Sequence, residues 1–214
     1  MYEFPYFKDE DFRDVFSFME SYPLVLLTGT DAGGVICATH VPLLCEERDG
    51  KIYLQGHVMR ETDHFRAFEC NPNVLAVFTG PNAYVSASWY THPHGGSTWN
   101  YMAVHVRGRL RFMDDDAFKD FMRRLSLKLE GGNQSSPTIF NNLPQTYKDS
   151  LMPSIAGFEI CAERIEHTFK LSQNRDEKSY KNIIAQLEKG DLQAIAVAEE
   201  MKRRKERLFP TEDD

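Results

Sequence analysis

The chain has 214 residues, 42% hydrophobic and 27% charged, enough to build one large core or two modest ones and well outside the intrinsically disordered class. Its formal net charge is −7, so it carries no global electrostatic footprint for nucleic acid, and any contact with DNA has to be local. The four cysteines, Cys37, Cys45, Cys70 and Cys161, form no CxxC pair and sit in or beside apolar runs, which points to reduced thiols in a cytoplasmic setting and away from a zinc site or a disulfide frame.

The acidic, aromatic start Met1-Tyr2-Glu3-Phe4-Pro5 is unlike a signal peptide, and no apolar run reaches membrane-spanning length. Phe12, Val15, Phe16 and Met19 recur at helical spacing and predict an amphipathic helix that Pro23 stops. A β pattern follows in six runs: Leu24 to Thr28, Val35 to Leu44, Lys51 to Val58, Val74 to Phe78, Ala83 to Tyr90 and Thr98 to Phe112. Turn residues such as Asp31-Ala32-Gly33-Gly34 and Arg48-Asp49-Gly50 separate the early runs. Asp114-Asp115-Asp116 opens a helix whose stripe Phe118, Phe121, Met122, Leu125 and Leu129 runs to Gly131-Gly132, and a polar loop continues to about Pro144. Ile155 to Ser172 alternates again, and Asp176 to Leu208 is helical with an interruption at Gly190. The pattern predicts an α+β, mainly β protein: a barrel-like domain over residues 1–175 and a C-terminal helical segment over 176–214 packed on it.

Polar side chains interrupt the strands in five places. They are Ala38-Thr39-His40, Gly56-His57 with Arg60, Tyr84 to Tyr90, Thr98 to Asn100 with His105, and Lys170 to Arg175. Glycine at position 56 would let another group approach the backbone, and Arg60 can offer a bidentate fork to a phosphate. A tight turn followed by an exposed arginine explains the same residues. Period-two alternation puts Tyr84, Ser86, Ser88 and Tyr90 on one face, and it turns Trp99 and Asn100 to opposite faces. Both tryptophans, Trp89 and Trp99, fit either a flat ligand or a bulky core. Ser172, Asn174 and Asp176 suit a capped helix start, whereas Lys170 and Arg175 are either surface charges or ligand contacts. The basic run Lys202-Arg203-Arg204-Lys205-Glu206-Arg207 reads as a phosphate contact or as a solvated terminal turn offset by Glu199, Glu200 and Glu212-Asp213-Asp214. His92-Pro93-His94 has no carboxylate or thiol partner nearby in sequence, so no metal is expected.

With these motifs in order, the chain resembles the PaiB family of FMN-binding negative transcriptional regulators, within the FMN-binding split-barrel superfamily. The resemblance runs from about Tyr2 to Met201 and rests on Ala38-Thr39-His40-Val41-Pro42-Leu43-Leu44, Gly56-His57 with Arg60, Phe78-Thr79-Gly80-Pro81 with Tyr84-Val85-Ser86 and Ser88-Trp89-Tyr90, Thr98-Trp99-Asn100-Tyr101 with Val104-His105, and Lys170-Leu171-Ser172-Gln173-Asn174-Arg175. It implies a split β-barrel with flanking helices, a homodimer, and one FMN per site. On that resemblance Arg60, with Gly56, His57 and Thr62, meets the phosphate, and Thr39 and His40 lie on the neighbouring strand. Trp99 and Asn100 meet the ring, and Lys170, Ser172 and Gln173 approach its pyrimidine edge. Met59 before Arg60, Thr62 in place of asparagine and Ala87 in place of proline depart from the family pattern.

The function expected from this resemblance is that of an FMN-binding regulator, with DNA contacted through a local surface. The alternative is an FMN-dependent oxidoreductase acting on a small molecule, and a third reading is a dimer scaffold that has lost its flavin.

Overall fold

A computed structural model describes residues 1, 4–8, 11–92 and 95–210. Tyr2, Glu3, Pro93, His94 and the acidic end 212–214 fall outside the described residues.

The expected opening helix is α1 (Phe12–Ser21), but Val15, Phe18 and Met19 carry its buried face while Phe12 stays exposed. Strand β1 (Leu24–Thr30) pairs antiparallel with β2 (Ile36–Pro42). Their turn is organised by Asp31, whose Oδ1 accepts from the N–H groups of Gly33 at 2.8 Å and Val35 at 2.9 Å. The run expected as one strand from Val35 to Leu44 is broken at Leu43, directly after Pro42, and β3 (Leu44–Arg48) begins afterwards. Proline has no N–H to continue a ladder, and the Leu43 N–H donates instead to Pro23 O at 2.8 Å. Strands β3 and β4 (Lys51–Met59) then form a hairpin through Asp49 and Gly50, both at positive φ, as a two-residue primed turn requires.

Helix α2 (Asp63–Cys70), which periodicity did not bring out, sits between β4 and β5 (Asn73–Val85) and buries Phe65, Ala67 and Phe68. The two runs expected from Val74 and from Ala83 are one continuous β5, and the strand stops at Val85. The Ser86 side chain accepts from the Ser88 N–H and starts a 3-10 turn over Ala87–Trp89. The expected alternation from Tyr84 to Tyr90 therefore fails beyond the turn: Tyr84 and Ser88 are exposed, whereas Tyr90 is buried. After β6 (Thr98–Phe112) come α3 (Asp115–Leu129), capped by Asp114, the short α4 (Gln145–Leu151), β7 (Ile155–Lys170), α5 (Glu177–Leu187) and α6 (Leu192–Leu208). Asp176 and Asp191 cap the last two helices, on either side of the expected break at Gly190.

The strands are ordered β2-β1-β5-β6-β7-β4-β3, and the β1–β2, β1–β5, β3–β4 and β4–β7 pairings are antiparallel. The chain folds as two interleaved units. One comprises Met1–Phe18, Thr79–Val104 and Glu166–Asp214; the other comprises Met19–Phe78 and His105–Ile165.

In the Met19–Phe78 unit β2 comes against β4, so the sheet curls there into a half-barrel. Helix α3 covers it, with Phe118, Phe121 and Leu125 packed with Leu44 and Ile155. Gly157 makes that seat possible: a Cβ there would stand 2.3 Å from Phe118 Cδ2. In the other unit α5 and α6 pack as a pair around Tyr180, Ile183, Val197 and Met201, all fully buried. The Tyr180 hydroxyl donates to Met201 O at 2.9 Å, which satisfies the polar end of an otherwise apolar fill.

Candidate functional site

The expected ligand residues fall into two sets, one in each unit. In the Met19–Phe78 unit, Thr39 and His40 are consecutive on β2, opposite Leu27 and Leu26 of β1, and so face opposite ways. Thr39 is partly buried on the side of Cys37 and Val41, and His40 is exposed with Ile36 and Ala38. Gly56 and His57 pair with Phe158 and Gly157 of β7. The space over Gly56 is filled from within, since a Cβ there would lie 2.6 Å from Leu43 Cδ2 and 2.7 Å from Phe158 Cζ. The His57 ring lies 6.2 Å from that of Phe121, and its Nδ1 is buried with no hydrogen-bond partner among the described residues. Burial lowers the imidazole's pKa, so His57 is neutral at pH 7 and can supply a hydrogen bond but no charge.

Arg60 supplies the charge. Its backbone N–H donates to Ser154 O at 2.9 Å, its Nε donates to Ile155 O at 3.0 Å, and its guanidinium carbon lies 5.8 Å from the Phe65 ring. These contacts orient the head group. Its two Nη groups make no hydrogen bond among the described residues and form an open fork. Thr62 is committed locally as the α2 cap: its hydroxyl donates to Met59 O at 2.7 Å and accepts from the Phe65 N–H at 3.3 Å. Asp63 accepts from the His64 N–H at 2.7 Å, and that bond holds its carboxyl below the usual range. The N–H groups of residues 64 and 65 are thereby taken by side chains at the start of the same helix.

In the other unit, Trp99 and Asn100 do face opposite ways. Trp99 is exposed, its Nε1 donates to Asn82 Oδ1 at 3.0 Å, and its ring lies 6.2 Å from Tyr84. Asn100 is fully buried, accepting from the Ser172 hydroxyl at 3.0 Å and directing Nδ2 at Met201 Sδ at 3.6 Å. Lys170 Nζ donates to the Thr98 hydroxyl, and burial, followed by the nearby Arg175 charge, lowers its pKa. Ser172 is buried at φ 63°, a left-handed conformation that costs a non-glycine residue about 1 kcal/mol or more. Gln173 braces that bend, accepting from the Leu171 N–H at 2.7 Å and donating to Phe169 O at 2.5 Å. Asn100 with Ser172, and Thr98 with Lys170, are thus brought together as pairs, while Trp99 alone of the set presents an open ring.

Arg175 lies over the Tyr90 ring at 4.1 Å, and Thr91 donates to Asp176 at 2.9 Å. Asn82 was the residue that sequence reasoning passed over; its signal was an amide directly after Gly80-Pro81, and the structure ties it to Trp99.

Four of the five cations of the basic run on α6 lie beside carboxylates. Lys202 pairs with Glu188 and Glu199, Arg203 and Arg204 both pair with Glu200, and Arg207 lies 3.7 Å from Asp14. Among the described residues, no group of three or more His, Cys, Asp or Glu could hold a metal ion.

The sequence matches a family model described as "Putative FMN-binding domain" over residues 1–164. The chain belongs to this family. Its cofactor is FMN, and the open Arg60 fork fits a phosphate-bearing flavin. The chain is 34% identical over 188 residues to the protease synthase and sporulation protein PAI 2 of Bacillus subtilis, covering 88% of this chain and 89% of that one. The fold is similar to that of the flavocytochrome Anf3 from Azotobacter vinelandii, with a TM-score of 0.57 at 16% identity over 79% of this chain and 72% of that one. It is also similar to an FAD and heme binding protein from Mycobacterium smegmatis, with a TM-score of 0.55 at 14% identity over 76% and 72% of the two chains. The architecture is accordingly a split barrel, mainly antiparallel, with flanking helices.

Proposed function

We propose that this protein is a cytoplasmic, homodimeric FMN-binding regulator of the PaiB type, in which flavin occupancy sets the state of the dimer. The observation that carries the flavin part is the Arg60 fork, held by Ile155 O and open at both Nη groups. His57 Nδ1, buried and unpartnered, adds a hydrogen-bonding group on the strand leading to Arg60. When bound, FMN supplies reversible one- or two-electron transfer. The chain's own contribution is to hold the phosphate by charge at Arg60. The outer face of β2 supports the dimer: Ile36 is 76% exposed, and Ala38 and His40 are exposed beside it, at an end of the sheet order. All four cysteines are free, which suits a reducing compartment, and no helix of the described residues is long and apolar enough to cross a membrane.

One observation favours the second reading, an FMN-dependent oxidoreductase acting on a small molecule. Four of the five α6 cations are already beside carboxylates, so that helix offers DNA little free charge. Two measurements separate the readings. A gel shift at low salt, with and without FMN, is expected to show specific DNA binding; none in either state overturns direct regulation. Stopped-flow mixing with NADH or NADPH is expected to leave the regulator's flavin oxidised, and rapid bleaching establishes the reductase instead. A purified protein that takes up no FMN on titration overturns both.

A further inference from the structure

The Thr79–Val104 part of the chain carries an aromatic cleft that the flavin phosphate residues do not use. It has a volume of about 440 Å³, within the range of small-molecule sites. Trp89, Trp99 and Tyr84 line its aromatic side, and Leu187 and Ala194 give it an apolar base. Tyr84 and Trp99 are about half exposed, at 51% and 50%. The Trp99 indole N–H is tied to Asn82 Oδ1, the Asn82 N–H in turn reaches Gln193 Oε1 at 3.4 Å, and the Tyr84 ring stands edge-on to Trp99 at 6.2 Å. An indole held in this way loses little conformational entropy on stacking a ligand.

The rim says which ligand. Gln186 and Lys189 line the cleft with no hydrogen bond from their side chains among the described residues, and the Asn82 and Gln193 amide nitrogens are likewise open. Against these donors stands mainly Asp191, one of whose oxygens already caps α6 through the Ala194 N–H at 2.9 Å. The cleft therefore offers flat apolar faces and an excess of donors at the edge. A larger charged cleft of about 670 Å³ lies in the other unit, but its cations and acids already satisfy one another through Arg48, Gln55, Arg124 and Glu159.

We propose that the aromatic cleft is a second binding site, for a planar nitrogen heterocycle bearing carbonyl oxygens on its edge. Stacking on Tyr84 and the indoles selects the flat ring, and Lys189 and Gln186 meet its carbonyls. The site takes Trp99 away from the flavin-ring contact that the resemblance implies, and it does not depend on the Arg60 reading.

Both tryptophans of the chain line this cleft, so indole emission reports on it. The test titrates theophylline, a planar dicarbonyl purine, into the full-length protein, apo and FMN-loaded, against cyclohexanecarboxamide as a non-planar control. The expected result is saturable quenching by theophylline only, with the same dissociation constant in both preparations and unchanged flavin absorbance. Tyr84→Ala weakens binding tenfold or more, and Lys189→Ala several-fold. Should Tyr84→Ala fail to fold, the exposed Lys189→Ala and Gln186→Ala still decide the matter. No saturable quenching, equal quenching by the control, or release of FMN one for one with theophylline overturns the proposal. The apo arm reads the cleft even if no flavin binds, so failure here and failure of the flavin reading are separate results.

Discussion

The Ser172 hydroxyl donates to Asn100 Oδ1 at 3.0 Å, joining the bend after β7 to a fully buried amide on β6. Ser172 holds this bond from a left-handed backbone conformation, so the bend carries both a strain and the contact that offsets it. Ser172→Ala keeps the strain and leaves the Asn100 oxygen without that donor. It should lower unfolding stability by about 1–3 kcal/mol. Ser172→Gly removes the strain along with the bond, and its loss should be smaller. Urea denaturation of both variants checks the order; Gly less stable than Ala would show that the bend is not strained.

Arg60→Ala should weaken FMN binding by about 1.5–3 kcal/mol, on the order of ten- to a hundredfold, through loss of a charge-assisted phosphate contact. Arg60→Lys should recover only part, because an ammonium keeps the charge but not the fork that the Nε bond to Ile155 O orients. Riboflavin, which lacks the phosphate, should bind wild type and Arg60→Ala alike. Fluorescence titration of the three proteins with both flavins reads this, and an Arg60→Ala affinity for FMN equal to wild type would place the phosphate elsewhere.

The cysteines should divide by reactivity. Burial pushes the Cys45 thiol up to about 12, so it is protonated at any physiological pH, whereas Cys70 is exposed. Native protein treated with iodoacetamide at pH 8 should be modified at Cys70 first, with Cys45 untouched until the fold opens. Peptide mass mapping of a time course tests this, and early labelling of Cys45 would contradict its burial.

Asp176 is held down to about 2 by its bonds from Ser179 and, less strongly, by that from Thr91. A carboxyl depressed in the folded state adds stability above its unfolded value near 3.8 and loses it as pH falls toward 2. The His57 imidazole is also depressed, so its contribution is present above pH 6.5 and fades as pH falls below it. Thermal melts should therefore fall in two stages on acidification. Asp176→Asn should flatten the stage between about pH 4 and 2, leaving the one below 6.5 intact; a wild-type slope in that variant would refute the assignment.

The sequence by itself determined the elements whose signals are local. Asp114 and Asp176 mark helix starts through side chains that accept from the nearest backbone N–H groups, Gly190 marks the break between the last two helices, and Asp49-Gly50 sets a hairpin through φ alone. The family, and with it the split barrel and FMN, was legible because several motifs recur in order along the chain. Only the tertiary structure shows which polar residues are already paired within the chain. Asn100, Ser172 and Gln173 look like ligand groups in sequence, yet their side chains satisfy one another or the surrounding backbone, because a buried amide must find a partner. Gly56 looks like a place for a ligand to approach, and Leu43 and Phe158 fill it. Arg60 and Trp99 remain open, one pinned by a carbonyl and the other by an amide, and both partners lie at least 17 positions away in the chain. No spacing rule reaches that far, since those contacts exist only once strands distant in sequence have paired and curled.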